Sequence, residues 1–205
     1  MELKQALAEL RKLEKRKFDQ SIDLIVNLRG INLKKENISA IINVPNKIKD
    51  KKVCGFLTKR SELVKTVTNL DFPKYKEKKA LKNLVKNFDF FIAAAPLMPA
   101  VATTFGKILG PAGKMPSPQM GILASEDDKA IGEMLERIAN SIKIRAKEAS
   151  IKAGVGKESM PDDKIIENIT AIYNGIVNVL PIKKDNVRNA MIKLTMSKPI
   201  KVEIK

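Results

Sequence analysis

The chain has 205 residues, no histidine and a single cysteine, Cys54. Those absences remove whole classes of chemistry. A zinc site built from His and Cys, a disulfide, a Cys–His nucleophile and a Ser–His–Asp triad all need residues this sequence lacks. Cys54 sits in "KKVCGFL", which reads as a strand, so its expected role is a small buried hydrophobe. Catalysis by carboxylates or lysine alone stays open. No apolar run is long enough to span a bilayer, and no apolar signal core stands near the start. The opening "MELKQALAELRKLEKRK" alternates charge with Leu and Ala as a soluble helix does.

Nucleotide-binding fingerprints are missing as well. The stretch "FGKILGPAGKMPSPQMGI", residues 105–122, packs four glycines and three prolines together. A phosphate-cradling P-loop needs a glycine five residues before its Gly-Lys pair and a hydroxyl after it. Here Ile108 precedes Gly113-Lys114 at that spacing, and Met115 follows. Gly106, Gly110 and Gly113 have the wrong intervals for a dinucleotide fingerprint. Pro111, Pro116 and Pro118 fix φ while the glycines permit turns, so residues 105–122 are expected to form a rigid, shaped loop.

What the chain has in excess is positive charge. Lysine and arginine number 39 against 23 acids, a formal net charge of +16. That balance calls for a polyanionic partner, and nucleic acid fits better than a membrane surface.

Hydrophobic periodicity outlines the elements. Leu3, Leu7, Leu10 and Leu13 share one helical face. Ile22, Leu24, Val26 and Leu28 alternate as in a half-buried strand, and "ISAIINVP" reads as a second strand ending at Pro45. Ile165, Ile166, Ile169, Ile172, Tyr173, Ile176 and Val177 form a wide helical stripe behind Pro161, Asp162 and Asp163. Ala190, Ile192, Leu194 and Met196 alternate, as do Ile200, Val202 and Ile204. Both ends are therefore of an α+β kind.

The middle alternates strand and helix: "KKVCGFL", a helix-like "KRSELVKTV", a basic helix with Tyr75, Leu81, Leu84, Val85 and Phe88 on one side, "FDFFIAAAP", "SEDDKAIGEMLERIAN" capped by Ser125, and "SIKIRA". This pattern suits a small parallel α/β sheet. An insertion follows: residues 1–47 and 150–205 as one discontinuous domain, residues 48–149 as a second, joined by two chain crossings acting as a hinge.

"KFDQSIDLIVNL", "LGPAGKMPSP" and "IKLTM" stand in the order found in the family of universal large-subunit ribosomal protein one, which builds the mobile ribosomal stalk. The sequence resembles that family over nearly its whole length, and "FDFFIAAAPLMP" resembles its archaeal branch. The resemblance implies a discontinuous split β-α-β domain of α+β type carrying an inserted Rossmann-like, three-layer α/β domain. It implies a cytoplasmic, ribosome-bound, non-enzymatic protein without metal or cofactor, monomeric off the ribosome. The implied partners are large-subunit rRNA, the protein's own mRNA in translational repression, and the deacylated exit-site tRNA whose release the stalk assists.

Residue by residue, "KFDQS" brings Lys17, Phe18 and Ser21 as RNA-binding candidates, and "GKESM" brings Lys157 and Ser159. "TMS" brings Thr195, Met196 and Ser197, with Asn189 upstream. Hydroxyls suit the 2′-OH and phosphates of folded RNA, and an aromatic can pack on sugar or base. Ser197 and Lys198 replace the family's Gly and Pro, Ala112 replaces a basic residue, and "VPNKIKDK" lacks the usual glycines. Competing structural roles stand beside these: Phe18 and Met196 as core and Ser159 as an N-cap. The acids Glu126, Asp127 and Asp128 hint at a metal, but a helix's first turn explains them better. The rival function is an α/β enzyme that closes the Gly/Pro loop over a phosphorylated substrate.

Overall fold

The computed structural model describes residues 1–13, 16–31, 38–75, 77–146 and 148–204. In chain order the elements are α1 (Leu3–Arg11), β1 (Ser21–Leu28), β2 (Ser39–Asn43), β3 (Val53–Phe56), β4 (Lys65–Val67), α2 (Lys78–Asn87), β5 (Phe90–Ala94), α3 (Met98–Ala112), β6 (Ile122–Leu123), α4 (Asp128–Ala139), β7 (Ser141–Arg145), β8 (Ser150–Lys157), α5 (Asp162–Val179), β9 (Val187–Leu194) and β10 (Ile200–Val202). The fold is mixed α/β, and the described chain divides into two compact units, Met1–Lys49 with Asn140–Lys205, and Asp50–Ala139.

The first unit is built on a four-stranded antiparallel sheet of order β10-β9-β1-β8. Strand β1 buries Ile22, Leu24, Val26 and Leu28 and turns the residues between them outward, as its alternation requires. Strand β9 does the same with Ala190, Ile192 and Leu194. The buried stripe of α5 (Ile165, Ile169, Ile172, Tyr173, Ile176, Val177) and Leu7 and Leu10 of α1 join those strands in one core. Each such side chain, fully buried, stabilises the fold by about 1.5–3 kcal/mol. Strand β7, grouped with the middle section on sequence, pairs with β2 from Asn43–Ser141 to Ser39–Arg145, so residues 140–149 belong to this unit.

Asn168 is fully buried in α5 and fully bonded. Its Oδ1 accepts the Asn46 N–H at 3.0 Å, and its amide donates to Asn46 O and Val155 O at 3.1 and 2.9 Å. A neighbouring close approach explains Gly175, a residue otherwise unfavourable inside a helix. A Cβ there would lie 2.6–2.8 Å from three atoms of the Ile42 side chain.

The second unit holds a parallel sheet of order β4-β3-β5-β6. Its core is aromatic: Phe56 lies 4.7 Å from Phe105 and 5.6 Å from Phe91, ring centre to ring centre, with Phe72 edge-on to both Phe56 and Phe105. Cys54 is fully buried there, and burial pushes its thiol up to about 12, so it stays protonated at neutral pH.

Three expectations are corrected here. "KRSELVKTV" is not helical but bends into β4, where Thr66 ties its hydroxyl to the local backbone at Ser61 and Val64. The Gly/Pro stretch is a loop only from 113 to 121, because α3 runs on through Gly106 and Gly110 and ends at Ala112. Gly113 then takes φ +69°, and the N–H groups of Gly113 and Lys114 close the helix on Gly110 O and Leu109 O. Lys114 Nζ reaches back to Val85 O and Phe88 O at 2.7 and 2.6 Å, tying the loop to the end of α2. Ser125 lies outside α4, which begins at Asp128.

Glycine-to-alanine changes separate propensity from packing. Gly175→Ala is expected to destabilise its unit by about 1–2 kcal/mol, because overpacking costs about 1–3 kcal/mol against a helix gain of about 1 kcal/mol. Gly132→Ala in α4, where a Cβ meets open space, is expected to stabilise by about 0.5–1 kcal/mol. Denaturant melts of the two variants read both signs.

Candidate nucleic-acid interface

The start of β1 and the ends of β8 and β9 lie together at one end of the first unit's sheet. Ser21 pairs with Lys157, and Ile22 with Leu194. The candidate segments therefore converge, although they come from positions 17–21, 157–159 and 195–197. Thr195 N–H donates to Ser21 O at 3.0 Å. The Thr195 hydroxyl accepts from Ser21 N–H at 3.1 Å and lies 3.3 Å from Ser21 O.

Between the segments runs a polar network in which Gln20, only 3% exposed, is the hub. Its backbone O accepts the Glu158 N–H at 2.7 Å, its Nε2 donates to Glu158 Oε2 at 3.2 Å, and its Oε1 accepts the Met196 N–H at 3.3 Å. Asp19 grips the next turn: Ser159 donates its N–H and its hydroxyl to the two carboxylate oxygens at 3.0 and 2.9 Å. Lys157 Nζ stands 3.7 Å from the same carboxylate. From the other side Arg11 donates to Glu158 O, Met160 O and Asp162 Oδ1 at 3.1, 2.7 and 2.7 Å. The turn carrying Lys157 and Ser159 is thus fixed by α1 and by the segment before β1. Ser159 is not the N-cap of α5, since its hydroxyl is spent on Asp19 and Pro161 holds the cap position without a side-chain bond.

Apolar side chains at this end face water. Met196 is 66% exposed and Phe18 52%, so neither is core. Met196 escapes the apolar parity of β9 because the strand stops at Leu194 and a turn follows. Phe18 is one of nine aromatics in the chain, and exposing it without a partner leaves a large apolar area in solvent. Lys17 is exposed beside it.

Ser197 closes the turn after β9. Its N–H donates to Leu194 O at 3.1 Å, and its hydroxyl accepts the Leu194 N–H at 2.8 Å. Among the described residues only Lys183 combines a side chain with positive φ, so a serine at 197 carries no left-handed strain. Asn189 does not join the cluster. It pairs with Asn27, whose Nδ2 donates to Asn189 Oδ1 at 2.7 Å. Six residues of strand, about 20 Å, separate it from Thr195 on the same outer face.

Arg11, Asp19 and Gln20 were not among the candidates drawn from sequence. "KFDQS" contains two of them, but their partners lie about 140 to 176 residues away in the chain, and nothing local marks that distance. The outer face also carries Asp23, whose carboxyl is pushed up by burial and pulled down by Lys193 across the strand pair.

In the second unit Glu126 also departs from its expected role in a helix's first turn. Its carboxylate accepts the N–H groups of Thr58 and Lys59 at 2.9 and 3.1 Å and the Thr58 hydroxyl at 2.5 Å. Those bonds, with Lys59 nearby, outweigh burial and hold its pKa below the ordinary value. The donors lie just past the carboxyl end of β3, where parallel α/β sheets bind phosphates. A carboxylate of the chain itself fills that position.

Comparison with known sequences places these observations. A model described as the ribosomal protein L1p/L10e family matches residues 10–198. The large ribosomal subunit protein uL1 of Thermofilum pendens is 34% identical over 98% of this chain and 90% of its own length. Those of Archaeoglobus fulgidus and Thermoplasma volcanium are 32% and 35% identical, over 92% and 91% of this chain and 91% and 88% of their own.

Asp19 gives the network a pH signature. Burial raises its pKa, but the bonds from the Ser159 hydroxyl and N–H and the charge of Lys157 outweigh it, so the folded value is lowered. The stability it contributes is full above the unfolded value of about 3.9 and is lost as pH falls through the folded one. Asp19→Ala is therefore expected to be less stable than wild type at pH 7. The gap is expected to close below about pH 4, as denaturant melts at each pH would read; a constant gap would refute the charge-based account.

Proposed function

The chain belongs to the ribosomal protein L1p/L10e family, and from that premise we propose that it is a structural constituent of the large ribosomal subunit, held there by stalk rRNA. The observation that carries this reading is the convergence of three separated segments on one sheet end. There, exposed Phe18 and Met196 stand among Lys17, Lys157, Ser21, Thr195 and Ser197. An aromatic, hydroxyls, turn backbone and cations in one place suit folded RNA, whose sugars, unstacked bases and phosphates each find a partner. Asn189 then contacts RNA only if the strand of RNA extends about 20 Å along the face.

In this reading the first unit is the discontinuous split β-α-β domain and the second the Rossmann-like insertion. The protein assists release of deacylated tRNA from the exit site and represses its own mRNA by binding a similar RNA shape. It works in the cytoplasm on the ribosome, is a monomer off it, and performs no catalysis. The enzyme reading is the weaker one because Glu126 already occupies the backbone donors that a substrate phosphate would use. A rise in melting temperature with nucleotides or sugar phosphates would revive it.

The test is a salt series of binding to a stalk rRNA fragment and to a scrambled hairpin of equal length. Tight binding to the stalk fragment alone at physiological salt is expected; equal binding to both, collapsing together as salt rises, would reduce the reading to charge. Thr195→Ala is expected to weaken stalk binding about ten-fold, or about 1.4 kcal/mol, and Thr195→Ser to restore it. Unchanged affinity in Thr195→Ala would remove that residue from the interface.

A further inference from the structure

Beside the Thr195–Ser197 turn, and sharing Met196 and Ser197 with it, lies a cleft of about 420 Å³. Leu13, Leu194, Met196 and Ile200 give it apolar walls, and Arg16 and Lys198 are its two cations among the described residues. Among the described residues no carboxylate lines it, and neither Arg16 nor Lys198 forms an ion pair. Leu13 stands 48% exposed because α1 ends at Arg11, two residues before the apolar face it was expected to complete.

We propose that this cleft is a binding pocket for one unpaired nucleobase and its phosphate, extending the RNA interface beyond the three converging segments. The proposal rests on the RNA-binding reading but makes a separate claim. A nucleotide is the occupant whose chemistry matches each part. Its flat, weakly polar base faces suit the aliphatic walls, and its phosphate suits the two cations.

Its base edge needs a hydrogen-bonding partner inside the pocket, and Gln20 supplies one. The amide is held in place by Glu158 and Met196, yet those bonds use one Nε2 hydrogen of two. In the proposed complex the second donates to a base carbonyl or ring nitrogen. Continuity also favours RNA. Met196 and Ser197 belong both to the pocket and to the turn that carries Thr195, so a strand of RNA that meets the turn passes the opening.

The first arm of the test uses the full-length, ¹⁵N-labelled protein, titrated with each of the four nucleoside monophosphates, with ribose 5-phosphate and with inorganic phosphate. Saturable shifts at the amides of Gln20, Leu194, Met196 and Lys198 are expected with at least one nucleotide and not with ribose 5-phosphate. Equal shifts with ribose 5-phosphate would leave a bare phosphate contact and overturn the base pocket, as would no shifts at all. The second arm compares stalk-rRNA binding of wild type, Leu13→Trp and Lys198→Ala. Leu13→Trp, at an exposed position beyond α1, is expected to fill the cleft and weaken binding about ten-fold with the salt slope unchanged. Lys198→Ala is expected to reduce the slope by about one. Wild-type affinity in Leu13→Trp would overturn the proposal. If wild type fails to bind stalk rRNA, the functional reading falls, while the nucleotide titration still decides the pocket.

Discussion

Strand β1 is hydrogen-bonded along both edges, to β8 on one side and β9 on the other, and the candidate interface exists because of that double pairing. The chain must return across more than 120 residues to supply β8 and across nearly 160 to supply β9. Closing loops of that length costs entropy, though the cost grows only slowly with length. Burial offsets it: Ile22, Leu24, Val26 and Leu28 meet Ile151, Ala153, Ile192 and Leu194 in one core with α5. Because side chains alternate with period two, a slip of one residue would turn this apolar set outward, so the core also fixes the register. Register in turn decides that Ser21 meets Lys157 and that Thr195 closes over Ser21.

The two units solve the problem of rigidity differently. The second relies on aromatic packing around Phe56, Phe91 and Phe105, and ties its loops with Lys114 and Glu126. The first has only two aromatics, Phe18 and Tyr173, and one of them stands in water. Its order at the sheet end comes instead from polar ties: Arg11 and Asp19 on the turn after β8, Gln20 between that turn and the one after β9. Such bonds are individually worth about 0.5–1.5 kcal/mol, rising to about 3 where a charge takes part. Their value here is geometric, since each holds a turn whose neighbouring side chains face outward.

Much of this was legible in the sequence where one physical signal dominated. The alternation in β1 and β9 and the stripe of α5 survive because burial on one face sets the period. "KRSELVKTV" misled because a short edge strand has too few residues for its period to show. Helix α3 was hidden behind Gly106, Gly110 and Pro111. The glycines lie on exposed turns that tolerate them, and Pro111 falls in the last turn, so a composition that reads as loop ends a helix. At the interface, hydroxyls and cations were visible as residue types, but the groups that fix them were not. Asp19 takes the hydroxyl of Ser159 from a position 140 residues earlier, and a capping pattern written locally as Ser-x-Pro-Asp gives no hint of it. Asn189 shows the opposite failure: it shares a face with the other candidates but stands one strand's length away.

The placement of β1 has a further consequence for the order in which the protein is made. The strand is complete at residue 28, yet its last partner ends at residue 194. At about 5–20 residues per second, synthesis leaves the strand waiting on the order of ten seconds or more for both neighbours. The second unit, whose strands and helices are continuous in sequence, can assemble during that interval. Throughout it, β1 presents two open edges and an apolar face, the condition under which strands pair with the wrong chain. The nascent protein is therefore most vulnerable to aggregation before its C-terminal fifty residues emerge, and a shielding partner at that stage would act on β1.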